Sequence, residues 1–418
     1  MLIHTAVYGE TWEDISRQYS LPTAYLQRLN NTFSPPVTGQ EIIIAYPALS
    51  YTAVYGDTLT SVAQRFDTDI SALLKNNPYL YRGLNAGDEI IIRYEGEKKR
   101  EVLLNGYCYT FIGRGLLNLV LPYLSYITVF TYGFDRNADL LPPSPSDEDF
   151  IRTALEYGTA PLMHLSTLTA EGRFSSELAA YLLENEYLWD RLIGNIVQNI
   201  VQKGYKGVDV DFEYLPAEYR EAYADLIGRL RTELNGLGLI LITALAPKTS
   251  PTQQGLLYEG HDYALLGQNS DFVMPMTYEW GYAYSEPMAV APIDSVRRVI
   301  EYAVTEVPSD KILLGLPFYG YDWTLPYQKG TAARSLSPDY ALMLARQNGG
   351  TIEFDTASAS PFMRYPNHIV WFESPKSVEA KMALADSFGL AGAGIWSTDR
   401  PFFQGYMTIN LLYDIKKP

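Results

Sequence analysis

The sequence predicts an α/β protein in which a (β/α)8 TIM barrel follows two small β-α-α-β modules. Three observations support this fold class: a repeat at the N-terminus, eight apolar runs that alternate with helical periodicity after it, and a length of 418 residues. With 47% hydrophobic and 19% charged residues, the chain can bury a large core and is not generally disordered. Its length exceeds that of one ordinary domain, so we expect a large barrel with additional modules attached.

The N-terminal repeat becomes visible when the sequence is shifted against itself by 47 residues, the separation between Asn30 and Asn77. The segment TAVYGETWEDIS (residues 5–16) then aligns with TAVYGDTLTSVA (residues 52–63). Each copy predicts a short strand, a turn, a helix, a second helix that leads to the asparagine, and a closing apolar strand. Two copies of one module therefore begin the chain.

Both copies resemble the LysM module, whose pattern runs Y-x-V-x-x-G-D-T-L, then an apolar helix, an asparagine and G-x-x-L-x-I. The resemblance implies one LysM module at residues 1–48 and a second at residues 49–95. It also implies binding to glycans that contain N-acetylglucosamine, such as peptidoglycan and chitin. The alternative is that the modules serve only as spacers in an assembly. The first copy departs from the pattern, because Trp12 replaces leucine and Glu10 replaces aspartate.

A short charged segment separates the repeat from the rest of the chain. The run EGEKKRE (residues 95–101) has no apolar residue, so we expect a large domain at residues 96–418. Its eight candidate strands are, in order, VLLNGYCYTFI, YITVFTYGF, APLMHLSTL, GVDVDFEY, LILITALAP, FVMPMTYEW, KILLGLPFYG and GAGIWS. Between the fourth and the fifth, a helical stripe begins at Pro216 and ends at Gly236. Alternating strands and helices predict a closed parallel barrel, and the long segment at about 322–370 predicts an insertion after strand seven.

The fourth candidate strand carries three acidic residues at alternate positions. The twofold period of a strand puts Asp209, Asp211 and Glu213 on one face and the three apolar side chains on the other. The apolar face is expected to meet the helices, so the acids point into the barrel. Three like charges in a poorly solvated interior cannot all ionise without cost, so at least one acid should hold a proton near neutral pH. Glu213 lies nearest the C-terminal end of the strand, where barrel enzymes carry their chemistry, and is the candidate general acid. The alternative is a structural ladder of hydrogen-bonded acids.

Three motifs of the large domain are similar to those of one enzyme family. GVDVDFE is similar to the D-x-x-D-x-D-x-E signature of glycoside hydrolase family 18, with Lys206 in place of the first aspartate. MTYEWGY (residues 276–282) is similar to the M-x-Y-D motif of that family, with Glu279 in place of aspartate. GAGIWS supplies Trp396 where the family has its substrate-stacking tryptophan. The combination with two LysM modules resembles the spore-cortex N-acetylglucosaminidases of endospore-forming bacteria, of the cortical-fragment-lytic type.

The resemblance implies retaining, substrate-assisted catalysis, in which the 2-acetamido oxygen of the sugar attacks C1. Glu213 would protonate the glycosidic oxygen and then, as a base, activate water. Asp211 would orient the acetamido N–H, and Asp209 would share a hydrogen bond or proton with Asp211. Tyr278 would donate its hydroxyl to the acetamido carbonyl. The residues expected to contact the substrate are Trp396, as the apolar floor, Met276, Glu279 and Trp280.

The resemblance also implies a substrate. It is peptidoglycan of the spore cortex, cleaved at β-1,4 bonds after N-acetylglucosamine, with chitin as the alternative glycan. A lectin-like barrel that binds sugar without catalysis is the alternative from another functional class.

Composition restricts the other partners. The 48 acidic and 32 basic residues give a net charge of −16, so neither nucleic acid nor an anionic membrane is an expected partner. Cys108 is the one cysteine, and the four scattered histidines lack metal-ligand spacing, so we expect no metal and no cofactor. The N-terminus lacks the basic and apolar segments of a classical secretory signal. Together with the resemblance, this favours a monomer associated with the spore cortex, spore coat or cell wall.

Overall fold

The computed structural model describes residues Met1–Pro418, and each N-terminal repeat folds in it as an antiparallel strand pair with two intervening helices. Strands and helices are numbered through the whole chain. The elements of the two modules are β1 (Leu2–Thr5), α1 (Trp12–Tyr19), α2 (Thr23–Leu29) and β2 (Glu41–Ile44), then β3 (Pro47–Thr52), α3 (Leu59–Arg65), α4 (Ile70–Asn76) and β4 (Glu89–Tyr94). Thr11 and Thr58 cap the first helix of each module, because each hydroxyl accepts from the backbone N–H three residues later. The predicted β-α-α-β order is confirmed in both copies.

Two buried asparagines hold equivalent positions in the modules. The Asn30 side chain donates to a carbonyl of α2 and to the Ile43 carbonyl, and it accepts from the Ile43 amide. Asn77 makes the same three hydrogen bonds with a carbonyl of α4 and with Ile91. Each asparagine therefore ties the second helix of its module to the closing strand, which explains why the repeat includes this residue.

Eight parallel strands form the barrel. They are β5 (Glu101–Tyr109), β6 (Tyr126–Phe134), β8 (Ala160–Ser166), β9 (Gly207–Asp211), β10 (Ile240–Leu245), β11 (Phe272–Pro275), β12 (Leu313–Pro317) and β18 (Gly392–Trp396). Two short strands, β7 (Leu140–Leu141) and β19 (Asp414–Ile415), pair with β6 and β5. The order around the barrel is β11-β10-β9-β8-β6-β5-β18-β12, and a parallel bridge from Val273 to Ile312 joins its ends. The predicted (β/α)8 barrel is confirmed.

The helices between the strands cover the outside of the barrel. They are α5 (Arg114–Val120), α6 (Glu148–Glu156), α7 (Ser176–Glu184), α8 (Tyr187–Lys203), α9 (Arg220–Gly236), α10 (Leu256–Glu259), α11 (Tyr263–Asn269), α12 (Ile293–Glu306), α14 (Pro375–Ser387) and α15 (Phe403–Leu412). The sequence placed the start of α9 at Pro216; a 3-10 turn at Ala217–Tyr219 precedes the helix, which then ends at Gly236 as predicted. None of the helices combines the length and the apolar character needed to cross a membrane.

A five-stranded antiparallel sheet lies between β12 and α14. Its elements are β13 (Gly320–Thr324), β14 (Arg334–Leu336), α13 (Pro338–Asn348), β15 (Ile352–Asp355), β16 (Ser360–Tyr365) and β17 (His368–Trp371), with strand order β14-β13-β17-β16-β15. This sheet is the insertion that the sequence predicts after strand seven.

The modules pack against the flank of the barrel that α14 and α15 form. Gln404 of α15 donates to the Asn30 side-chain oxygen at 2.8 Å. The backbone amide of Lys376 in α14 donates to the Glu41 carboxylate at 2.8 Å. Buried residues of the first module and of the barrel belong to one continuous core. The modules are therefore docked on the barrel rather than connected to it only by a linker.

Candidate active site

Asp209 lies on the inner face of β9, beneath the open end of the barrel. It is fully buried, and its carboxylate accepts hydrogen bonds from Asn105 and Thr128, both at 3.2 Å. These partners come from β5 and β6, so the acid ties three strands together. Burial raises the pKa of Asp209. The Asp209 side chain does not line the cavity described below. Its hydrogen bonds hold the neighbouring strands β5 and β6 against β9.

The backbone immediately after β9 is fixed by a buried histidine. The His261 ring accepts from the Ala246 amide and donates to the Phe212 carbonyl, with both distances 2.9 Å. Burial lowers the pKa of His261 to about 4, so the ring is neutral and can act as acceptor and donor at once. The Phe212 ring is buried among aromatic rings of the outer shell. With Phe212 held outward, the next side chain, Glu213, turns toward the barrel mouth.

A cavity of about 400 Å³ lies at the C-terminal end of the barrel. Of the residues that the sequence predicts for the site, six line it together: Asp211, Glu213, Met276, Tyr278, Glu279 and Trp396. Trp280 lines an adjoining cavity of about 690 Å³, which shares Glu213, Tyr214, Met276, Tyr278 and Glu279 with the first. Three carboxyl groups, a phenol and an indole thus surround one space that is large enough for a sugar ring.

The surroundings of the Glu213 carboxyl favour its protonated form. Burial raises its pKa to about 8, and negative charge on Asp211 and Glu279 adds to this effect. Burial also raises the pKa of Asp211, to about 7. These effects favour the protonated Glu213 carboxyl at neutral pH, at which an exposed glutamic acid would be ionised.

Tyr278 follows β11 and projects over the barrel interior. Its position depends on Gly315 of the neighbouring strand, because a Cβ there would lie 3.0 Å from the Tyr278 ring and 2.6 Å from the Pro275 carbonyl oxygen. The Thr277 hydroxyl donates to the Gly315 carbonyl at 2.7 Å and fixes the same turn. Burial raises the pKa of Tyr278 well above its usual value. The side chain is a neutral phenol that can donate a hydrogen bond.

Trp396, at the end of β18, belongs to an aromatic wall. Its ring lies 5.0 Å from Phe130, 5.8 Å from Tyr107 and 6.2 Å from Tyr109, measured between centroids. Phe174 extends the wall at the rim of the cavity, where it is largely exposed. Sequence reasoning found Trp396 and missed the others. Tyr109 is the last residue of β5, and strand-end position is the signal that could have indicated it; Phe130 lies in the middle of β6 and reaches the wall because it pairs with Tyr109.

Glu279 is held by two tyrosines that the sequence analysis also missed. Its carboxylate accepts hydrogen bonds from Tyr319 and from Tyr321, the latter at 3.0 Å. The Glu279 backbone has a φ of +68°, a left-handed conformation that costs energy for a residue with a side chain. Burial raises the pKa of Glu279, and the two hydroxyls oppose that shift. The two tyrosines flank Gly320, directly after strand seven.

His164 of β8 lies behind Asp211. Its Nε2 atom is 3.6 Å from the Asp211 carboxylate, and its Nδ1 atom is 2.6 Å from the Thr131 hydroxyl. Burial lowers the pKa of His164 to about 4, so the pair is not a salt bridge at neutral pH. Oδ1 of Asp211 is buried, and no protein group donates to it. The Asp211 side chain as a whole is partly exposed and lines the cavity.

Comparison with known proteins gives matches over both parts of the chain. Residues 171–400 match the family described as glycosyl hydrolases family 18, and residues 4–45 and 51–93 match the LysM domain. The chain is 41% identical over 302 residues to the cortical fragment-lytic enzyme of Bacillus subtilis (strain 168), a match that covers 71% of this chain and 69% of the relative.

Two crystal structures are similar over the full length. The spore cortex-lytic enzyme SleL of Bacillus megaterium QM B1551 superimposes with a TM-score of 0.84 at 33% identity, covering 100% of this chain and 99% of the other. SleL of Bacillus cereus superimposes with a TM-score of 0.84 at 29% identity, covering 100% and 98%.

Proposed function

Since the chain belongs to the glycosyl hydrolases family 18, we propose that this glycosidase cleaves β-1,4 bonds after N-acetylglucosamine in the peptidoglycan of the spore cortex. One observation carries the proposal: Asp211, Glu213, Tyr278 and Trp396 line a single cavity of about 400 Å³. The names of the cortex-lytic relatives support the choice of substrate.

The first step uses the nucleophile of the substrate itself. The acetamido oxygen of the sugar in the cavity attacks C1 while Glu213 gives its proton to the glycosidic oxygen, and the C1–O bond breaks. A bicyclic oxazolinium ion and a free leaving sugar result. Glu213, now a carboxylate, takes a proton from water, and the hydroxide attacks C1 and reopens the ring. Two displacements at one carbon retain its configuration, and Glu213 ends the cycle protonated.

Asp211 has a separate task in this scheme. Its carboxylate lines the cavity, so it can accept the acetamido N–H and orient the attacking oxygen. As positive charge develops on the acetamido group, the ionised form of Asp211 becomes favourable. Asp209, buried on the same strand face, is proposed to share the proton that Asp211 then releases.

The remaining residues hold the sugar. The Tyr278 hydroxyl donates to the acetamido oxygen and sets the angle of attack, while the Trp396 ring lies under the sugar. Met276, Glu279 and Trp280 contact the substrate from the loop after β11.

The LysM modules are proposed to anchor the enzyme on the glycan. Docking of the first module through Gln404 and Asn30 keeps that anchor at a fixed distance from the cavity. We also propose that the enzyme acts as a monomer on spore cortex or cell wall, without nucleic acid, membrane or cofactor as a partner.

The test is to digest purified cortex peptidoglycan, vegetative peptidoglycan and chitin in parallel and to identify the products by mass spectrometry. We expect products from cortex that end in N-acetylglucosamine, and loss of these products in Glu213→Gln with glycan binding retained. Glu218→Gln is the matched control, because Glu218 is exposed nearby and lines neither cavity. Products from chitin alone would indicate a chitinase. Wild-type protein that binds glycan and releases nothing would indicate a lectin-like protein.

A further inference from the structure

The cavity adjoining the proposed reaction site is lined in part by residues that do not line the first cavity. It holds about 690 Å³ and meets the first cavity at residues that include Glu213, Tyr278 and Glu279, whereas Asp211 and Trp396 line the first cavity only. A general acid stands between the reacting sugar and the leaving group, because it protonates the oxygen that joins them. With the reacting sugar above Asp211 and Trp396, the adjoining cavity on the other side of Glu213 receives the leaving sugar.

Arg298 of α12 is the one Lys or Arg side chain that lines either cavity. Its guanidinium donates to the Ser295 hydroxyl at 2.9 Å, and no carboxylate lies within 4.0 Å of it. Arg298 is exposed at this surface, so its remaining N–H donors can contact a ligand in the cavity. A guanidinium has five N–H donors in a planar arrangement that suits a carboxylate.

We propose that Arg298 binds a carboxylate carried by the leaving sugar, which makes the adjoining cavity a subsite for an acidic amino sugar. The inference rests on the proposed function, because that function puts N-acetylglucosamine above Asp211. In a glycan that alternates N-acetylglucosamine with muramic acid, the leaving sugar is the muramic residue. Its carboxylate is either the free lactyl group or the end of a short stem peptide. The leaving sugar of chitin carries no such group, so Arg298 favours peptidoglycan over chitin.

The experiment uses the full-length protein and four defined tetrasaccharides. Three alternate N-acetylglucosamine with muramic acid, whose lactyl group is free, extended by L-alanine, or neutralised as the methyl amide; the fourth is chitotetraose. Arg298→Gln is compared with the wild type and with Arg297→Gln, which alters an adjacent exposed arginine that lines neither cavity. Arg298→Lys keeps the charge and loses the planar donor arrangement.

We expect Arg298→Gln to lower kcat/KM about five- to tenfold on the carboxylate substrates, the size expected for one partly exposed charge-assisted contact. The methyl amide and chitotetraose should be unaffected, and Arg298→Lys should recover part of the loss. Comparison of the free lactyl substrate with the alanyl one identifies which carboxylate is bound.

Two results would overturn the inference alone: no change on any muramyl substrate, or an equal loss on all four substrates, which would mean a general structural role. A wild-type protein that cleaves chitotetraose and no muramyl substrate would instead overturn the proposed substrate, and this inference with it.

Discussion

Tyr321 donates its hydroxyl to Glu279 across 3.0 Å, and this hydrogen bond joins the first strand of the insertion to the loop after the sixth barrel strand. Tyr319 donates to the same carboxylate. Hydrogen bonds to a carboxylate favour its ionised form. Because negative charge on Glu279 contributes to the raised pKa of Glu213, the insertion acts on the proton of the proposed general acid.

Removal of one of these hydroxyls should therefore change the pH dependence of the reaction. In Tyr321→Phe the pKa of Glu279 rises further, its negative charge at neutral pH decreases, and the pKa of Glu213 falls. The alkaline limb of kcat/KM, which follows loss of the Glu213 proton, should move to lower pH by about half a unit. Profiles from pH 5 to 10 measure the shift. Tyr327→Phe is the control, because that hydroxyl donates to a backbone carbonyl. An unchanged limb, or one moved to higher pH, would disprove the coupling.

Ionisation of the buried Glu213 should also reduce the stability of the folded protein as the pH rises. Its pKa is about 8 in the folded protein and 4.5 for the ordinary group, so the folded state binds more protons between these values and stability falls across that window. Glu213→Gln removes this loss. We expect its Tm at pH 8 to exceed that of the wild type by about 2 °C or more, and the difference to vanish near pH 4. Calorimetry at both pH values checks this against Glu218→Gln. A lower Tm for the variant at pH 8 would argue that Glu213 is held as a stabilising carboxylate.

Tyr278→Phe removes one hydroxyl and keeps the ring in place. If the hydroxyl positions the acetamido oxygen during attack, kcat should fall about 100-fold while KM changes little, the pattern for a contact that matters most in the transition state. Steady-state kinetics on a defined muramyl tetrasaccharide separates the two parameters. A raised KM with unchanged kcat would assign Tyr278 to ground-state binding only.

The equivalent asparagines of the two modules, Asn30 and Asn77, should both stabilise the folded protein, but by different amounts. Asn77→Ala leaves the amide and carbonyl of Ile91 without these buried partners and should cost about 1–3 kcal/mol. Asn30→Ala should cost more, because Gln404 of the barrel also loses one of its two acceptors and keeps only the Glu41 carbonyl. Hydrogen exchange at the Ile43 and Ile91 amides reports each loss locally. Equal protection in the wild type and both variants would show that the asparagines do not hold these strands.

The parts of the structure that the sequence predicted are those encoded locally. The eight strands appear as apolar runs, and the alternation in GVDVDFEY is enough to put Asp209 and Asp211 on the inner face of β9. Contacts between segments that are distant in the chain could not be predicted from local sequence patterns. His164 stands beside Asp211 because of the parallel register of β8 and β9, in which it pairs with Asp209. No local pattern reports that register.

The same reasoning explains why the partners of Glu279 were missed. Tyr319 and Tyr321 are about 40 residues away in the chain and approach only when the barrel closes between β11 and β12. Docking of the modules through Gln404 depends likewise on a long-range approach, here to Asn30. The domain boundaries at residues 48 and 95 and the catalytic roles remain predictions, because they concern function and folding units rather than local geometry.

Glu213 is proposed to hold a proton at neutral pH beside the reacting sugar. The direct measurement is a titration by NMR of protein labelled with ¹³C at the glutamate side-chain carboxyls, with Glu213→Gln used to assign the resonance. We predict a resonance, absent from the variant, that titrates near pH 8. A Glu213 resonance that titrates near 4.5, as an ordinary exposed glutamic acid does, would contradict the account.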